Sequence, residues 1–340
     1  MRLRLAVPHD LSGRCLSDIL VAAARVSEEV AARMVRFGAV RVDGRVERDP
    51  GHPVASGSRV FLLWSPRAAA LSPTPRLVYH DSHVWIVCKP AGIPVQATRL
   101  GSANSVEEYL IATAGRRVEP RIVHRLDLPV SGLMVAAATA PGAAGIARGF
   151  EDGLVSKVYL AVVRPVSDAA HSLLGRLSST AAVELDQPLL WVSSKQKTIV
   201  SPDGKPSRSR VAFVAALPDH AALLAVRLLS GRTHQIRAHL SHAGVPVLGD
   251  SAYGALPTDQ GSMQTSQQSA DHGAACRPSA DARRIALHSS YLALPHPVGG
   301  GPLRFKELPE VDFWSAAGIE PPPDLGGRFR GILEKLGCVR

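Results

Sequence analysis

The chain of 340 residues carries a formal net charge of +10, and its isoelectric point is near 9.9. This length can bury a full core and suggests two domains, and the basic balance favours a polyanionic partner, nucleic acid before an anionic membrane surface. Arginine greatly outnumbers lysine, and its planar fork matches phosphate oxygens, which fits RNA. A GC-rich genome would produce the same bias, so composition alone leaves RNA binding undecided.

The cysteine pattern and the apolar stretches exclude further classes. The four cysteines are far apart and form no CxxC pair, which argues against a zinc site and against a secreted disulfide framework. They are Cys15, Cys88, Cys276 and Cys338. The first residues lack the apolar run of a signal peptide, and the longest apolar stretch, residues 130–147, is broken by Gly and Pro. We therefore expect a soluble, cytoplasmic protein without a membrane span.

Residues 1–66 are predicted to form a small α+β module. Apolar residues recur at helical spacing over residues 11–35, and Ser27 is a candidate N-cap within that stretch. Strand patterns follow at residues 40–42 and 57–63. Asp43-Gly44 is typical of a tight hairpin turn.

A proline-rich linker at residues 67–75 is predicted to lead into a larger domain, residues 76–320. Its predicted strands are a hairpin at residues 76–87 and the segments 133–138, 157–163, 211–217 and 223–229. Its predicted helices are residues 106–114 and 233–243. Many strands with few, scattered helices indicate an α+β fold built on a mixed or antiparallel sheet.

Two stretches are weakly specified. Residues 255–284 are rich in Ser, Gln, Asp and Gly and poor in large apolar residues, which predicts a disordered insertion loop. Residues 321–340 are predicted to be a tail in which Ile332, Leu333 and Leu336 are spaced to form one docking helix.

Two separated motifs carry the residues with the clearest chemistry. The first is His124-Arg125-Leu126-Asp127, followed by Ser131-Gly132-Leu133, in a segment predicted to be a loop that leads into a strand. The second is Gly231-Arg232-Thr233-His234-Gln235-Ile236-Arg237. In an extended segment Arg125 and Asp127 point to the same face. A helix N-terminus after a glycine, as in the second motif, is a natural phosphate site.

These motifs resemble the signatures of the RluA family of RNA pseudouridine synthases. Four further segments follow the family order: Lys89-Pro90-Ala91-Gly92, the run around Tyr159, residues 244–254 and residues 286–292. We interpret the last two runs mainly as structural turns and core contacts. The N-terminal module resembles the alpha-L RNA-binding domain of a ribosomal small-subunit protein.

The resemblance implies that uridine is isomerised to pseudouridine in structured RNA, with the target nucleotide flipped out. The C1′–N1 bond breaks, the base turns and C5 joins C1′, so neither a cofactor nor a metal is expected. Asp127 is expected to be the catalytic carboxylate, and whether it acts at C1′ or C6 stays open. Arg237 is expected to pair with Asp127 and keep it ionised, and Arg125 to support the flipped state. Tyr159 is expected to stack on uracil and relay a proton.

A set of basic residues is expected to contact RNA: Arg33, Arg36, Arg41, Arg45, Lys89, Lys157 and Arg232. Lys89 is expected to orient the active-site wall rather than to act as a nucleophile. Two positions depart from the family pattern. Glu28 stands where a basic residue is usual, which reduces the expected RNA affinity. Val130 stands where Thr is usual, which removes a hydroxyl near the Asp127 loop.

Two other interpretations stay open. His234, His239 and His242, with His124, suggest a metal hydrolase, although His234 faces away from the other two on a helix and no HExxH motif accompanies them. A non-catalytic RNA-binding protein that has kept the fold would need only the N-terminal module and a basic body. For the enzyme, 23S ribosomal RNA is the first expected substrate and transfer RNA the second, and a monomer is expected.

Overall fold

The computed structural model describes residues 2–36, 39–47, 49–63, 74–96, 105–114, 120–179, 182–254 and 284–338. The chain divides into two compact units. The first comprises Met1–Leu128 and Met134–Ala147, and the second Pro129–Leu133 and Arg148–Arg340. Most of the predicted linker and all of the predicted insertion except Arg284 lie outside the described residues.

The first unit begins with a small antiparallel sheet and two helices. Its elements are β1 (Arg2–Ala6), α1 (Leu16–Ala24), α2 (Glu28–Arg36), β2 (Val40–Val42), β3 (Arg45–Glu47) and β4 (Arg59–Leu63). The strand order is β1-β4-β2-β3, and the helices bury Leu16, Ile19 and Met34 in its core. The Ser27 hydroxyl accepts the N–H of Val30 at 3.3 Å, which confirms the predicted cap. Positive φ angles at residues 43 and 44 confirm the predicted hairpin turn.

The rest of the first unit holds the segments on either side of the Asp127 loop. Its elements are β5 (Arg76–His80), β6 (Val84–Lys89), α3 (Val106–Ala114), β7 (Arg121–Ile122), and parts of β8 (Ser131–Ala137) and α4 (Ala140–Glu151), which both units share. The predicted hairpin of β5 and β6 is confirmed. Asp81 fixes its turn by accepting the N–H groups of His83 and Val84, both at 2.7 Å.

The second unit is built on a mixed sheet. The strands of this unit are β9 (Ser156–Val163), β10 (Val183–Leu185), β11 (Leu189–Val192), β12 (Lys197–Val200), β13 (Ser209–Ala216), β14 (Ala222–Leu228), β15 (Leu287–Pro295) and β16 (Pro302–Lys306), of which β11 and β12 form a separate two-stranded sheet. The order β10-β13-β14-β9-β15 is antiparallel, whereas β15 pairs in parallel with the start of β8. This mixture of helices with a mixed sheet confirms the predicted α+β class.

The helices of the second unit are α5 (Asp168–Ser179), α6 (Gln235–His242), α7 (Val311–Ala317) and α8 (Leu325–Lys335). Residues 286–292 were interpreted as turns and core contacts. They are buried and form most of β15, so the core contacts are confirmed and the turns are wrong. This strand is buried on both faces and therefore shows no alternation in sequence. The docking helix predicted in the tail is confirmed as α8, with Ile332 and Leu333 buried. Within the described ranges, every helix is too short or too polar to cross a membrane.

Candidate active site

The Asp127 loop lies between β7 and β8 and has no regular secondary structure, as predicted. Arg125 is exposed, Leu126 is buried and Asp127 is half-buried. The N–H of Val135 on β8 donates to His124 Nε2 at 2.9 Å, which ties the start of the loop to the strand that follows it. The loop therefore holds an exposed Arg125 and a half-buried Asp127 on an anchored backbone.

Lys89 supports the turn that follows Asp127 within the same unit. Its side chain is fully buried, and its Nζ donates to the carbonyls of Pro90 and Ile93 at 2.9 Å and of Leu128 at 3.3 Å. The Leu128 carbonyl also accepts the N–H of Gly92 at 2.8 Å. A fully buried ammonium has no access to phosphate, so this placement is at odds with the predicted RNA contact of Lys89 and agrees with an orienting role.

The strand that follows the loop is anchored in the second unit. Ser131 Oγ lies 2.8 Å from His288 Nδ1 and accepts from Arg284 Nη2 at 3.0 Å. Gly132 has φ +111°, and a Cβ there would lie 2.3 Å from the Ser289 carbonyl oxygen, so only glycine fits this close approach. Burial, and then the charge of Arg284, lowers the pKa of His288 to about 3, so this ring is neutral at physiological pH.

Arg237 is buried on α6 and forms a bidentate pair with Asp250. Arg237 Nε and Nη2 donate to the two Asp250 oxygens at 2.6 and 2.9 Å. Asp250 Oδ1 also accepts the N–H groups of Ala252 and Tyr253, and the Arg237 guanidinium lies 4.7 Å from the centre of the Tyr253 ring. Asp127 belongs to the other compact unit, and its pairing with Arg237 stays a prediction.

The start of α6 is fixed by buried polar groups. The Gln235 amide donates to the Arg208 carbonyl and to Ser209 Oγ, both at 2.9 Å. His239 Nδ1 lies 3.0 Å from Ser209 Oγ, and its Nε2 lies 2.9 Å from the Gln187 carbonyl. Burial is the main cause that lowers the pKa of His239. Both ring nitrogens of His239 are therefore engaged in hydrogen bonds, which weakens the metal-hydrolase interpretation.

Tyr159 lies on the central strand β9, opposite Val226 of β14 and Ser289 of β15, and is buried. This pairing fixes the backbone at Tyr159, and stacking of its ring on uracil stays a prediction. Lys157 is half-buried overall, but its ammonium lies 4.9 Å from the centre of the Phe150 ring, and burial lowers its pKa to about 8. Because a phosphate contact needs an accessible charge, this placement does not favour the predicted RNA contact of Lys157.

The other predicted RNA contacts differ in accessibility. Arg45 and Arg232 are exposed. Arg41 is half-buried, and its Nη1 donates a hydrogen bond to the Gly44 carbonyl at 3.0 Å. The side chains of Arg33 and Arg36 lie outside the described residues. Contact of any of these residues with RNA stays a prediction.

Sequence reasoning missed Asp250 as the partner of Arg237 and the link from Arg284 to Ser131 through a buried hydroxyl. A signal for Asp250 existed, because it is a single acid between the apolar residues 245–248 and Tyr253. A charged residue in such a run is seldom buried without a partner. No comparable signal pointed to Arg284, because it adjoins the weakly specified segment.

Comparison with known proteins agrees with this geometry. A profile of the family described as RNA pseudouridylate synthase matches residues 83–242, which include Asp127, Tyr159 and Arg237. A protein of Zymomonas mobilis named ribosomal large subunit pseudouridine synthase D is 31% identical over 312 residues, covering 87% of this chain and 90% of the relative. The protein of the same name from Pseudomonas aeruginosa is 30% identical over 324 residues, covering 91% and 92%.

Two solved structures share the fold. Human RNA pseudouridylate synthase domain containing 1 superposes with a TM-score of 0.53 at 19% identity, over 77% of this chain and 97% of that one. Human RNA pseudouridylate synthase domain containing 4 gives a TM-score of 0.50 at 21% identity, over 72% and 94%. Taken with the relatives that match most of its length, these findings show that this chain belongs to the RluA-type family of RNA pseudouridine synthases.

Proposed function

We propose that this protein isomerises specific uridines of 23S ribosomal RNA to pseudouridine, with Asp127 as the catalytic carboxylate. The observation that carries the proposal is the half-buried Asp127 beside the exposed Arg125 on an anchored loop within the family-matched segment. The names of the relatives from Zymomonas mobilis and Pseudomonas aeruginosa support the large-subunit substrate. The net charge of +10 supports a polyanionic partner.

Asp127 attacks the flipped nucleotide at C1′ or C6, or stabilises positive charge at the sugar while the C1′–N1 bond breaks. Arg237 pairs with it and favours the ionised form. A guanidinium has five N–H donors, and the bidentate contact with Asp250 uses two of them, on Nε and Nη2. This bidentate contact fixes the guanidinium of Arg237 in one orientation, and the pairing with Asp127 is part of the proposal.

Tyr159 stacks on the uracil and relays the proton that must leave C5 when the new bond forms. Its place on a central, paired strand supports this role because a rigid ring can hold the base through its rotation. Arg125, exposed on the loop, supports the flipped state of the nucleotide. Transfer RNA is the second candidate substrate, and the protein acts as a monomer in the cytoplasm.

The test is pseudouridine mapping of total cellular RNA from a strain that lacks this gene. The strain is complemented with wild type or with Asp127→Ala. Sites that are lost in the deletion strain and restored only by wild type support the isomerase, the role of Asp127 and the substrate together. Sites in transfer RNA would replace the 23S assignment, and restoration by Asp127→Ala would contradict the catalytic role.

A non-catalytic RNA-binding protein is the second candidate function. The four-stranded N-terminal module with exposed Arg45 favours it, because that module would bind RNA without any chemistry. Under this alternative, no mapped site changes in the deletion strain, and Asp127→Ala complements every growth or ribosome-assembly defect as well as wild type does.

A further inference from the structure

The hairpin of β11 and β12 is a separate two-stranded sheet within the second unit. It is fixed to α6 and its flanks. Thr198 Oγ1 donates to the Thr233 carbonyl at 2.7 Å, and the Thr198 N–H donates to Tyr253 Oη at 2.8 Å. Leu189 packs with Ala238 and Tyr253 in a small apolar cluster. The hairpin is therefore held in place by buried contacts and does not depend on a ligand for its position.

This hairpin presents a tryptophan to solvent. Trp191 is 39% exposed, whereas Trp85 and Trp314 are 6% and 4% exposed. Its ring makes an edge contact with His234, with centroids 5.5 Å apart and planes at 78°. His234 is held in turn, because its Nδ1 lies 3.0 Å from Tyr253 Oη. A large ring that is ordered before binding and open to solvent loses little conformational entropy when it contacts a partner.

The surroundings of Trp191 are basic. Residues 195–205 contain three of the seven lysines in the chain and one acid, Asp203. Lys195 and Lys205 are exposed, whereas the ammonium of Lys197 lies 4.6 Å from the centre of the Tyr253 ring. Nε and Nη2 of exposed Arg232 donate to the Pro206 carbonyl at 3.4 and 3.3 Å. These hydrogen bonds keep a further cation beside this segment. Basic groups around a surface aromatic ring are typical of sites that bind unpaired nucleotides, where cations meet phosphates and the ring meets a base.

We propose that Trp191 and the exposed Lys195, Lys205 and Arg232 form a second RNA-contact site, in which the indole stacks on an unpaired base of the substrate. The proposal rests on the proposed function, because it takes RNA to be the substrate. A base within a duplex has both faces covered, so the partner is a loop or bulge nucleotide. Stacking uses the ring face alone, so this contact anchors the RNA without reading its sequence.

The experiment measures binding and turnover of unmodified large-subunit ribosomal RNA, transcribed in vitro, by the full-length protein. We expect Trp191→Ala to raise Kd and KM by about 5- to 150-fold, the range for the loss of one base stack, with little change in kcat. Trp191→Phe, which keeps a ring, recovers most of the affinity. Leu190→Ala is the matched control, because Leu190 is 37% exposed on the same strand and points to the opposite face.

Fluorescence gives a second readout that a merely structural tryptophan would not move. The emission of Trp191 is the difference between the tryptophan fluorescence of wild type and that of Trp191→Phe, and we expect the transcript to quench it. The thermal unfolding midpoint of Trp191→Ala should stay within a few degrees of that of wild type. Equal Kd and KM for Trp191→Ala and wild type overturn the site and leave the proposed function intact. Tight RNA binding without pseudouridine formation by wild type overturns the proposed function, and the Kd comparison still decides the role of Trp191.

Discussion

The loop of Asp127 and the surroundings of Arg237 hold their charged side chains in different ways. Asp127 is half-buried on a segment without regular structure, and Arg125 beside it is exposed. Contacts to the backbone keep this region ordered, because the buried ammonium of Lys89 donates hydrogen bonds to the carbonyls of Pro90, Ile93 and Leu128. Arg237 is buried on a helix, and its order comes from side chains, above all from its bidentate contact with Asp250.

This difference separates two requirements of an enzyme that acts on a macromolecule. A group that reacts with RNA must be reachable, so it lies on a loop at the surface. A buried charge must keep its partner, because removing one member leaves the other uncompensated in a low dielectric. Substitutions in the loop should therefore change activity with little loss of stability, whereas substitutions around Arg237 should change both.

Asp127→Asn tests the loop and has the largest expected effect. We expect turnover of the RNA transcript to fall by about 10⁴-fold or more, the usual result of removing a nucleophile that acts with its partners. The free energy of urea unfolding should fall by less than in Asp250→Asn, because the bidentate contact of Arg237 with Asp250 stays in place. Asp219→Asn, at a highly exposed acid, is the control. Turnover by Asp127→Asn within about tenfold of wild type would remove Asp127 from the mechanism.

Asp250→Asn tests the buried pair and should cost about 3–5 kcal/mol of unfolding free energy, because Arg237 loses the charge of its bidentate partner. Urea unfolding measures the loss, and turnover should fall with it. The double variant Arg237→Met/Asp250→Leu separates the two effects. It replaces the pair with apolar side chains of similar size, so stability should recover while activity does not. Recovered activity in the double variant would contradict a role for Arg237 in the reaction.

The same contrast explains which parts could be predicted from sequence. Loop chemistry is local, so Arg125 and Asp127 stand out within four consecutive residues and their loop-to-strand setting was predicted correctly. Strands with one clear apolar run, such as β9 and β14, were also predicted within two residues. The helices α4, α5 and α7 were missed, because small residues blur their apolar spacing or they are short.

The buried network was not predictable in the same way, because its partners are separated along the chain. Arg237 meets Asp250 only after α6 and the following turn have formed, and Ser131 meets His288 across a parallel strand pair. Two of the predicted RNA contacts, Lys89 and Lys157, stay predictions that their placement does not favour. A lysine in a basic chain suggests a phosphate contact, and only the fold reveals that the ammonium lies inside.

Tyr159→Phe tests whether a buried residue of the central sheet also takes part in the chemistry. If the phenol relays a proton, kcat should fall by about 10²-fold while KM stays near that of wild type, because the ring that stacks on the base is retained. Single-turnover assays on the transcript separate the two constants. Tyr291→Phe is the matched control, since Tyr291 is equally buried on the neighbouring strand β15. An equal loss in both variants would indicate packing rather than proton transfer.

His288 gives the smallest expected effect. The pH dependence of the unfolding free energy tests whether its contact with Ser131 is buried. Its pKa is about 3 in the folded protein, against 6.5 for an ordinary histidine, mainly because it is buried and then because of Arg284. Between these values the unfolded chain binds a proton that the folded chain does not, so unfolding becomes easier as pH falls below about 6.5. From pH 7 to 5 this linkage removes about 2 kcal/mol of unfolding free energy.

The measurement is urea unfolding of wild type and His288→Asn at pH 7 and pH 5. The asparagine amide can still reach Ser131 Oγ but does not titrate, and all other groups titrate alike in both proteins. Wild type should therefore lose about 2 kcal/mol more than the variant between the two pH values. Parallel losses would mean that His288 is solvated in solution. The contact of Ser131 with His288 would then be as open to solvent as the Asp127 loop. The contrast between a reachable loop and buried polar contacts would not hold for β8.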